Sequence, residues 1–290
     1  MGKNNTEFKV YKNIELMKFL MEKMPQNSRN SIKSMLTHKR VMVGEEVVSQ
    51  YNYMLKEGQV VSIGKSRVHK QDLKGVTILY EDNDILVVEK DKGILSVATA
   101  KEKDNTAYSI LKNYLKEVDP KNKIFVVHRL DRDTSGVMLF AKTPKAQDIL
   151  QTNWNEMVKE RTYVALVEGA MEKETDTIVS YIAENKAYVS YSTTNENEGK
   201  KAVSTYKVLK KNKNYSLVEV NIETGRKNQI RVHMQDIGHS VVGDKKYGAT
   251  KNPIKRLGLH AHSIVFVHPI TKEVFSFTSK IPNEFLSLFR

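Results

Sequence analysis

The stretch "HRLDRDTSG", residues 128 to 136, places two carboxylates, two guanidiniums and a histidine between the apolar runs "IFVV" and "VMLF". Short apolar runs bounded by polar residues are typical of buried strands, so the charged residues are expected at the edge of a sheet. A carboxylate there is partly removed from water, and neighbouring arginines keep it ionised. Asp131 in such a place can act as a nucleophile or as a base.

Three interpretations of this stretch are open from its residues. In the first, the charges at positions 129 to 133 pair with one another on a surface connection. In the second, Asp131, Asp133 and Thr134 are interpreted as the D-x-D-x-T pattern of magnesium-dependent aspartyl phosphatases, in which the first carboxylate accepts phosphate. That pattern usually belongs to a parallel α/β domain. The third interpretation depends on the rest of the chain.

Composition narrows the class of protein. A chain of 290 residues that is 40% hydrophobic can bury a full core and still carry a small second domain. The formal charge of +13 favours a polyanionic partner, with nucleic acid as the first expectation. The absence of cysteine excludes disulfides, cysteine-ligated zinc and thiol nucleophiles.

Several other classes are not indicated by the sequence. No apolar run reaches the length of a membrane helix, and the start of the chain lacks the hydrophobic segment of a secretory signal, so we expect a cytoplasmic protein without a membrane partner. There is no P-loop, no G-x-G-x-x-G turn and no convincing cluster of metal ligands. We therefore predict neither a nucleotide cofactor nor a bound metal.

The first part of the chain is predicted to be a small α/β domain at residues 14–66. Apolar residues recur at helical spacing over 14–24, and Ser28 can cap a second helix. Two short β segments follow, with Gly44 at a turn. The polar and basic residues 67–76 are predicted to be a linker.

The second part, residues 77–290, is predicted to be the main domain. Helices are expected over 106–119, 144–159 and 228–238, and strands occupy most of the remainder. Because the strands outnumber the helices and do not alternate strictly with them, the pattern favours an α+β fold with a mixed, mainly antiparallel sheet.

Five stretches of the second part resemble one known family, and a stretch of the first part resembles another. "HRLDRDTSG" resembles the signature H-R-L-D-x-x-T-S-G of the RluA family of pseudouridine synthases, as do "LYEDNDILVVEK", "RTYVALVEG", "ETGRKNQIRVHMQDIGHSVVGDKKYG" and "GLHAHSIVFVHP" in their order. The match spans roughly residues 78 to 285. In addition, "SRNSIKSMLTHKRVMVGEEVV" in the first domain resembles the alpha-L RNA-binding domain shared with a ribosomal protein of the small subunit.

The resemblance implies that uridines in RNA are isomerised to pseudouridine by base flipping, without a cofactor. It assigns the catalytic carboxylate to Asp131, its buried cationic partner to Arg231, and the ring beside the target base to Tyr163. It further implies that Arg129 fills the gap left by the flipped uridine, and that Arg226 contacts phosphate or braces a loop.

The same resemblance implies RNA contacts in the first domain, made by the basic residues Arg29, Lys33, Lys39 and Arg40. The expected substrate is a structured RNA, with ribosomal RNA of the large subunit first and transfer RNA still open, and the expected enzyme is a monomer. The alternative from another class is a non-catalytic RNA-binding or ribosome-assembly protein. Two positions depart from the family pattern: Asp91 replaces proline in "KDKG", and Asn228 replaces histidine before "QIR".

Overall fold

The computed structural model describes residues 6–37, 40–44, 46–63, 72–99, 102 and 104–289. These residues form two units, each with its own sheet and hydrophobic core. In the described part of the chain, no helix combines the length and apolar character needed to cross a membrane.

The first unit is a four-stranded antiparallel sheet with two helices and a short additional strand pair. Its elements are β1 (Thr6–Lys9), β2 (Ile14–Glu15), α1 (Leu16–Lys23), α2 (Arg29–Thr37), β3 (Val41–Val43), β4 (Glu46–Val47), β5 (Met54–Leu55) and β6 (Val60–Ile63). The helix predicted from residue 14 begins two residues later, because Ile14 and Glu15 pair with β5. Apolar side chains of α1 and α2 pack against the sheet and close the core.

The second unit contains a twelve-stranded sheet with helices beside it. Its strands are β7 (Asp72–Leu73), β8 (Val76–Glu81), β9 (Ile85–Lys90), β10 (Phe125–Val126), β11 (Ser135–Ala141), β12 (Val158–Glu168), β13 (Thr175–Glu184), β14 (Ser190–Thr193), β15 (Lys200–Lys211), β16 (Tyr215–Ile222), β17 (Leu259–Val267) and β18 (Val274–Thr278). Its helices are α3 (Ala107–Val118), α4 (Pro144–Thr152), α5 (Trp154–Met157), α6 (Gln229–Asp236) and α7 (Asn283–Leu286).

The sheet is mainly antiparallel, which confirms the predicted α+β class. The strand order along the main path is β14-β13-β15-β16-β12-β17-β11-β9-β8-β7, with β18 beside β17 and β10 beside β11. Among the strand pairs of the described residues, only β11 and β17 run parallel. Every other pair can be joined by hairpins or long returns, as antiparallel sheets allow.

Two predicted boundaries are corrected by strand pairing. The helix predicted over 144–159 ends at Thr152, a short turn of helix follows, and β12 begins at Val158, which pairs with Phe266 of β17. Residues 67–71 of the predicted linker lie outside the described residues. Its remaining part forms a hairpin, because Asp72 and Leu73 pair with the start of β8.

The parallel contact between β11 and β17 positions the functional stretch. Gly136 of β11 and Tyr163 of β12 are both register partners of Ala261 on β17, so the three strands lie side by side at this level. Gly136 has φ +118, and a Cβ built there would lie 2.1 Å from the carbonyl oxygen of Ala261. Only a residue without a side chain lets the strand that follows Asp131 approach β17 this closely.

We predict that Gly136→Ala destabilises the protein by about 3 kcal/mol or more, because the added carbon meets main chain that cannot move aside. The comparison is Gly238→Ala, where φ is +80 and nothing lies within 4 Å of the added carbon. That variant carries only the left-handed backbone penalty, about 1 to 2 kcal/mol. Urea unfolding of the two variants measures the difference, and equal losses would contradict the close-approach explanation.

Candidate active site

The residues predicted for chemistry meet in one cleft. A cavity of about 620 Å³ is lined by all five residues that the sequence assigned to the main-domain site, namely Arg129, Asp131, Tyr163, Arg226 and Arg231. They come from the loop before β11, from β12, from the segment that leads into α6, and from α6 itself, which carries Arg231. Residues about 100 positions apart in the chain are therefore brought together by the sheet.

An ion pair joins Asp131 to Arg231. Arg231 Nη1 lies 3.3 Å from Asp131 Oδ2, and the side chains are 14% and 28% exposed, respectively. On its other side, Arg231 donates from Nε and Nη2 to the two oxygens of Asp244, over 2.6 and 2.8 Å. A bidentate pair of this kind fixes the plane of the guanidinium, which leaves one nitrogen directed at Asp131.

The charge of Arg231 is secured by these carboxylates. Burial acts to lower the pKa of Arg231, but the hydrogen bond and charge of Asp244, and then the charge of Asp131, outweigh it and hold the pKa above its ordinary value. The guanidinium also lies over the ring of Tyr247, 4.7 Å from its centroid. Sequence reasoning missed Asp244, although it stands in the same motif as Arg231.

Asn228 completes the support of the arginine. Its Oδ1 accepts a hydrogen bond of 2.8 Å from Arg231, and its Nδ2 donates over 2.9 Å to the hydroxyl of Tyr247. Asn228 precedes α6 with φ +57, a left-handed conformation that asparagine adopts more readily than most residues. The residue that replaces the family histidine thus holds Arg231 in place through hydrogen bonds.

The loop that carries Asp131 is fastened on both sides. Ser96 Oγ accepts from the Leu130 amide and donates to the Leu130 carbonyl, and the Leu130 side chain is buried in the core. His128 Nε2 accepts a hydrogen bond of 2.9 Å from the amide of Leu139 on β11. Because alternate residues of the segment are held inward, Arg129 is left exposed at the cleft.

Lys90 holds the far end of this loop from beneath. Its side chain is fully buried, and Nζ donates to the carbonyls of Asp91, Ile94 and Arg132 over 2.9, 2.7 and 3.0 Å. Burial lowers the pKa of Lys90 to about 8, against the charges of Asp133 and Asp131. The amide of Asp91 donates to Gly75, a hydrogen bond that the proline usual at this position cannot make. The role of Lys90 was not predicted.

Tyr163 faces the cleft from β12. Its ring packs against two hydrophobic clusters of the main unit and also lines the cavity. Burial raises the pKa of Tyr163 to about 12, so the hydroxyl stays protonated in neutral solution. An apolar ring at the wall of a polar cleft offers a surface for stacking a base.

Two further arginines of the cleft, Arg226 and Arg161, are held by hydrogen bonds to main-chain carbonyls. Arg226 Nε is 2.9 Å from the carbonyl of Lys201, so this side chain braces a strand while it lines the cavity. Arg161 was not singled out from the sequence, yet it lines the same cavity and donates to the carbonyls of Ile222 and Glu223. Burial lowers the pKa of Arg161.

The predicted RNA contacts of the first unit are only partly brought together. Arg29 and Lys33 are exposed, one turn apart on α2. Lys39 lies outside the described residues. Arg40 is half-buried and near Tyr80 and Asp82 of the main unit; burial lowers its pKa, and those two groups oppose the shift.

The phosphatase interpretation does not hold. The fifth position of D-x-D-x-T falls on Ser135, since Thr134 occupies the variable fourth position. The two carboxylates also have different partners, because Asp133 pairs with the exposed Arg132 while Asp131 pairs with Arg231. The sheet is mainly antiparallel, unlike the parallel α/β domain in which that pattern occurs.

Comparison with known proteins identifies the family. The family model of RNA pseudouridylate synthases matches residues 84–236. An uncharacterized RNA pseudouridine synthase of Bacillus subtilis, YhcT, is 32% identical over 91% of this chain and 88% of its own length. Ribosomal large subunit pseudouridine synthase D of Pasteurella multocida is 30% identical over 93% of this chain and 88% of its own.

A solved structure agrees with this result. Human RNA pseudouridylate synthase domain containing 1 superimposes with a TM-score of 0.59 at 25% identity, covering 73% of this chain and 86% of the human chain. The chain therefore belongs to the RluA-type RNA pseudouridine synthases. The family expected from the motifs is confirmed.

Three histidines whose pKa is lowered by burial give a prediction about pH. Burial lowers the pKa of His128 to about 3, that of His233 to about 4 and that of His260 to about 3. Below the ordinary value of 6.5, the unfolded chain binds protons that the folded chain does not, so the free energy of unfolding falls as the pH falls. The slope is up to about 1.4 kcal/mol per pH unit for each histidine.

Urea unfolding between about pH 7.5 and about pH 5 measures this slope. In His128→Gln the slope should be shallower by up to about 1.4 kcal/mol per pH unit, because one of the three groups no longer titrates. A variant as acid-sensitive as the wild type would show that His128 does not contribute.

Proposed function

We propose that Asp131 is the catalytic carboxylate of this pseudouridine synthase and that Arg231 keeps it charged and in position. The reaction breaks the bond between ribose C1′ and uracil N1 and forms one between C1′ and C5, while C5 loses a proton and N1 gains one. Atoms and electrons balance within the substrate. Asp131 has three possible roles in this step: attack on the base, attack on the sugar, or removal of a ribose proton.

The observation that carries this proposal is the Asp131–Arg231 ion pair at the wall of the cleft. The guanidinium cannot lose its charge, so the carboxylate has a permanent counter-charge in a partly desolvated environment. Asp244 supports the proposal, since it holds the guanidinium from behind and leaves one nitrogen for Asp131. An unsupported arginine would instead swing toward water.

Tyr163 and Arg129 are proposed to act on the flipped uridine. The target base must leave its stack, which costs a few kcal/mol. The ring of Tyr163 at the cavity wall would cover one face of the base. Arg129 is exposed at the rim and would occupy the space that the base leaves in the RNA. Arg226 would brace the neighbouring strand and meet a phosphate.

The RNA target is proposed to be ribosomal RNA of the large subunit. The support is the similarity to ribosomal large subunit pseudouridine synthase D of Pasteurella multocida, which matches 93% of this chain. Transfer RNA is the other candidate. We further propose that the enzyme acts as a monomer in the cytoplasm.

We propose that the first unit is a separate RNA-binding domain and the second a catalytic domain; the sequence placed them at residues 14–66 and 77–290, and β1 (Thr6–Lys9) and β7 (Asp72–Leu73) extend them toward the start of the chain. The first unit's own core and sheet support this division. The exposed pair Arg29 and Lys33 on α2 supports contact with phosphates. Arg40 is excluded from that role in this proposal, because it is half-buried beside the β8–β9 turn.

The first test replaces the carboxylate. Asp131→Asn should reduce pseudouridine formation by at least about 10³-fold while RNA affinity stays within about twofold, because only the reacting group changes. Turnover is measured by mass spectrometry of ribosomal RNA from cells that lack the protein, and affinity by filter binding.

The matched control is Asp133→Asn, which removes an exposed carboxylate two residues away and should keep most of the activity. If Asp131→Asn and wild type produce the same pseudouridine content, Asp131 is not catalytic. If the variant loses affinity as much as turnover, its role is structural.

The second test concerns the first unit. The double variant Arg29→Ala with Lys33→Ala should weaken RNA binding and lower the slope of log affinity against log salt by between about one and two units. The reason is that binding releases fewer counterions once two phosphate contacts are lost. The control is Lys112→Ala with Lys116→Ala, an exposed pair at the same spacing on α3. An unchanged slope in the α2 variant would remove this helix from RNA binding.

A further inference from the structure

Tyr188 stands in an unusual place in the turn between β13 and β14. Its φ is +58, a left-handed conformation that residues with a side chain rarely adopt, and it is 74% exposed. The turn is well defined, since Asn185 Oδ1 accepts from the amides of Ala187 and Val189, and the Tyr188 amide donates to the carbonyl of Asn185. A glycine would fit this backbone without strain.

Two lysines flank Tyr188. Lys227 Nζ lies over its ring, 5.9 Å from the centroid, and 3.4 Å from its carbonyl oxygen. Lys246 Nζ lies 3.3 Å from the same carbonyl oxygen. Lys227 also pairs with Glu184 over 2.8 Å, which holds the ammonium beside the ring.

Both lysines connect Tyr188 to the catalytic cleft. A cavity of about 400 Å³ is lined by Lys227, Lys246, Asp131 and Arg231 together. Lys227 also lines the larger cavity that holds Tyr163. The exposed ring therefore lies beside two lysines that line the space in which the target uridine would react.

Folding does not account for this arrangement. The ring buries little surface, and its backbone conformation is strained, so neither feature stabilises the turn. Strained residues that persist near an active site point to a function. An exposed aromatic ring among cations is what proteins use to bind unpaired nucleic acid, because every base has a face that can stack.

We propose that Tyr188 is a stacking platform for an unpaired base next to the target uridine, and that Lys227 and Lys246 contact the adjoining phosphates. This proposal rests on the proposed function, since it defines how the RNA beside the target is held. The platform has no base-specific hydrogen bond and would accept any base. It would select RNA in which the neighbour of the target is unpaired.

The test uses an oligouridylate of about ten nucleotides with 2-aminopurine beside the central uridine. Binding is measured as the loss of 2-aminopurine fluorescence that accompanies stacking. All proteins carry Asp131→Asn so that no turnover occurs. Tyr188→Ala should bind about tenfold more weakly and should not quench the fluorescence. The matched control Tyr188→Phe keeps the ring and should behave like the parent.

Two further variants separate the parts of the site. Tyr188→Gly removes the ring and the backbone strain together, so it should unfold at a higher temperature than the parent and still fail to quench. Lys227→Gln should leave quenching in place and lower the salt slope by about 0.7, the value for one phosphate on a single strand.

Equal affinity and equal quenching in Tyr188→Ala and the parent would overturn the platform. That result is distinct from failure of the proposed function, which would appear as wild-type enzyme and Asp131→Asn giving the same pseudouridine content in ribosomal RNA. A second result would also overturn it: Tyr188→Ala binds more weakly, but the parent itself does not quench the fluorescence. The ring would then act on RNA other than by stacking.

Discussion

One guanidinium shared between two carboxylates determines the arrangement of the cleft. Asp244 binds Arg231 through two hydrogen bonds, and the remaining nitrogen pairs with Asp131 over 3.3 Å. Asp244, the inner carboxylate, is only 2% exposed, and Asp131, the outer one, is 28% exposed. The ion pair with Asp244 therefore offsets most of the free-energy cost of burying the arginine. The outer carboxylate can then meet a substrate while it keeps a counter-charge.

The sheet makes this pairing possible. The close approach of β11 to β17 at Gly136 fixes where the Asp131 loop lies along β17. The register of β12 on β17 places Tyr163 at the same point, opposite Ala261. Lys90, at the end of β9, binds the carbonyl of Arg132 in that loop together with the carbonyls of Asp91 and Ile94. Charge, packing and strand register thus act on the same few residues.

Much of the cleft was predictable from the sequence, because the motif residues Asp131, Tyr163 and Arg231 lie in ordered patterns that carry the family resemblance. The supporting contacts were not predictable, since Asp244 and Lys90 act on partners whose proximity only the fold creates. The fold class followed from the excess of strands over helices. The helix expected over 144–159 was wrong beyond Thr152, because pairing with β17 overrides helical spacing from Val158 onward.

The fastening of the Asp131 loop has a consequence for how a target is chosen. Because the segment is hydrogen-bonded to Ser96, to Leu139 of β11 and to the buried ammonium of Lys90, moving it around a substrate would break these hydrogen bonds. If the segment keeps this position, the RNA rather than the protein must deform for a uridine to reach Asp131. We expect that uridines in loops, bulges or weak pairs would then reach Asp131 at a lower cost in free energy than uridines in stable helices.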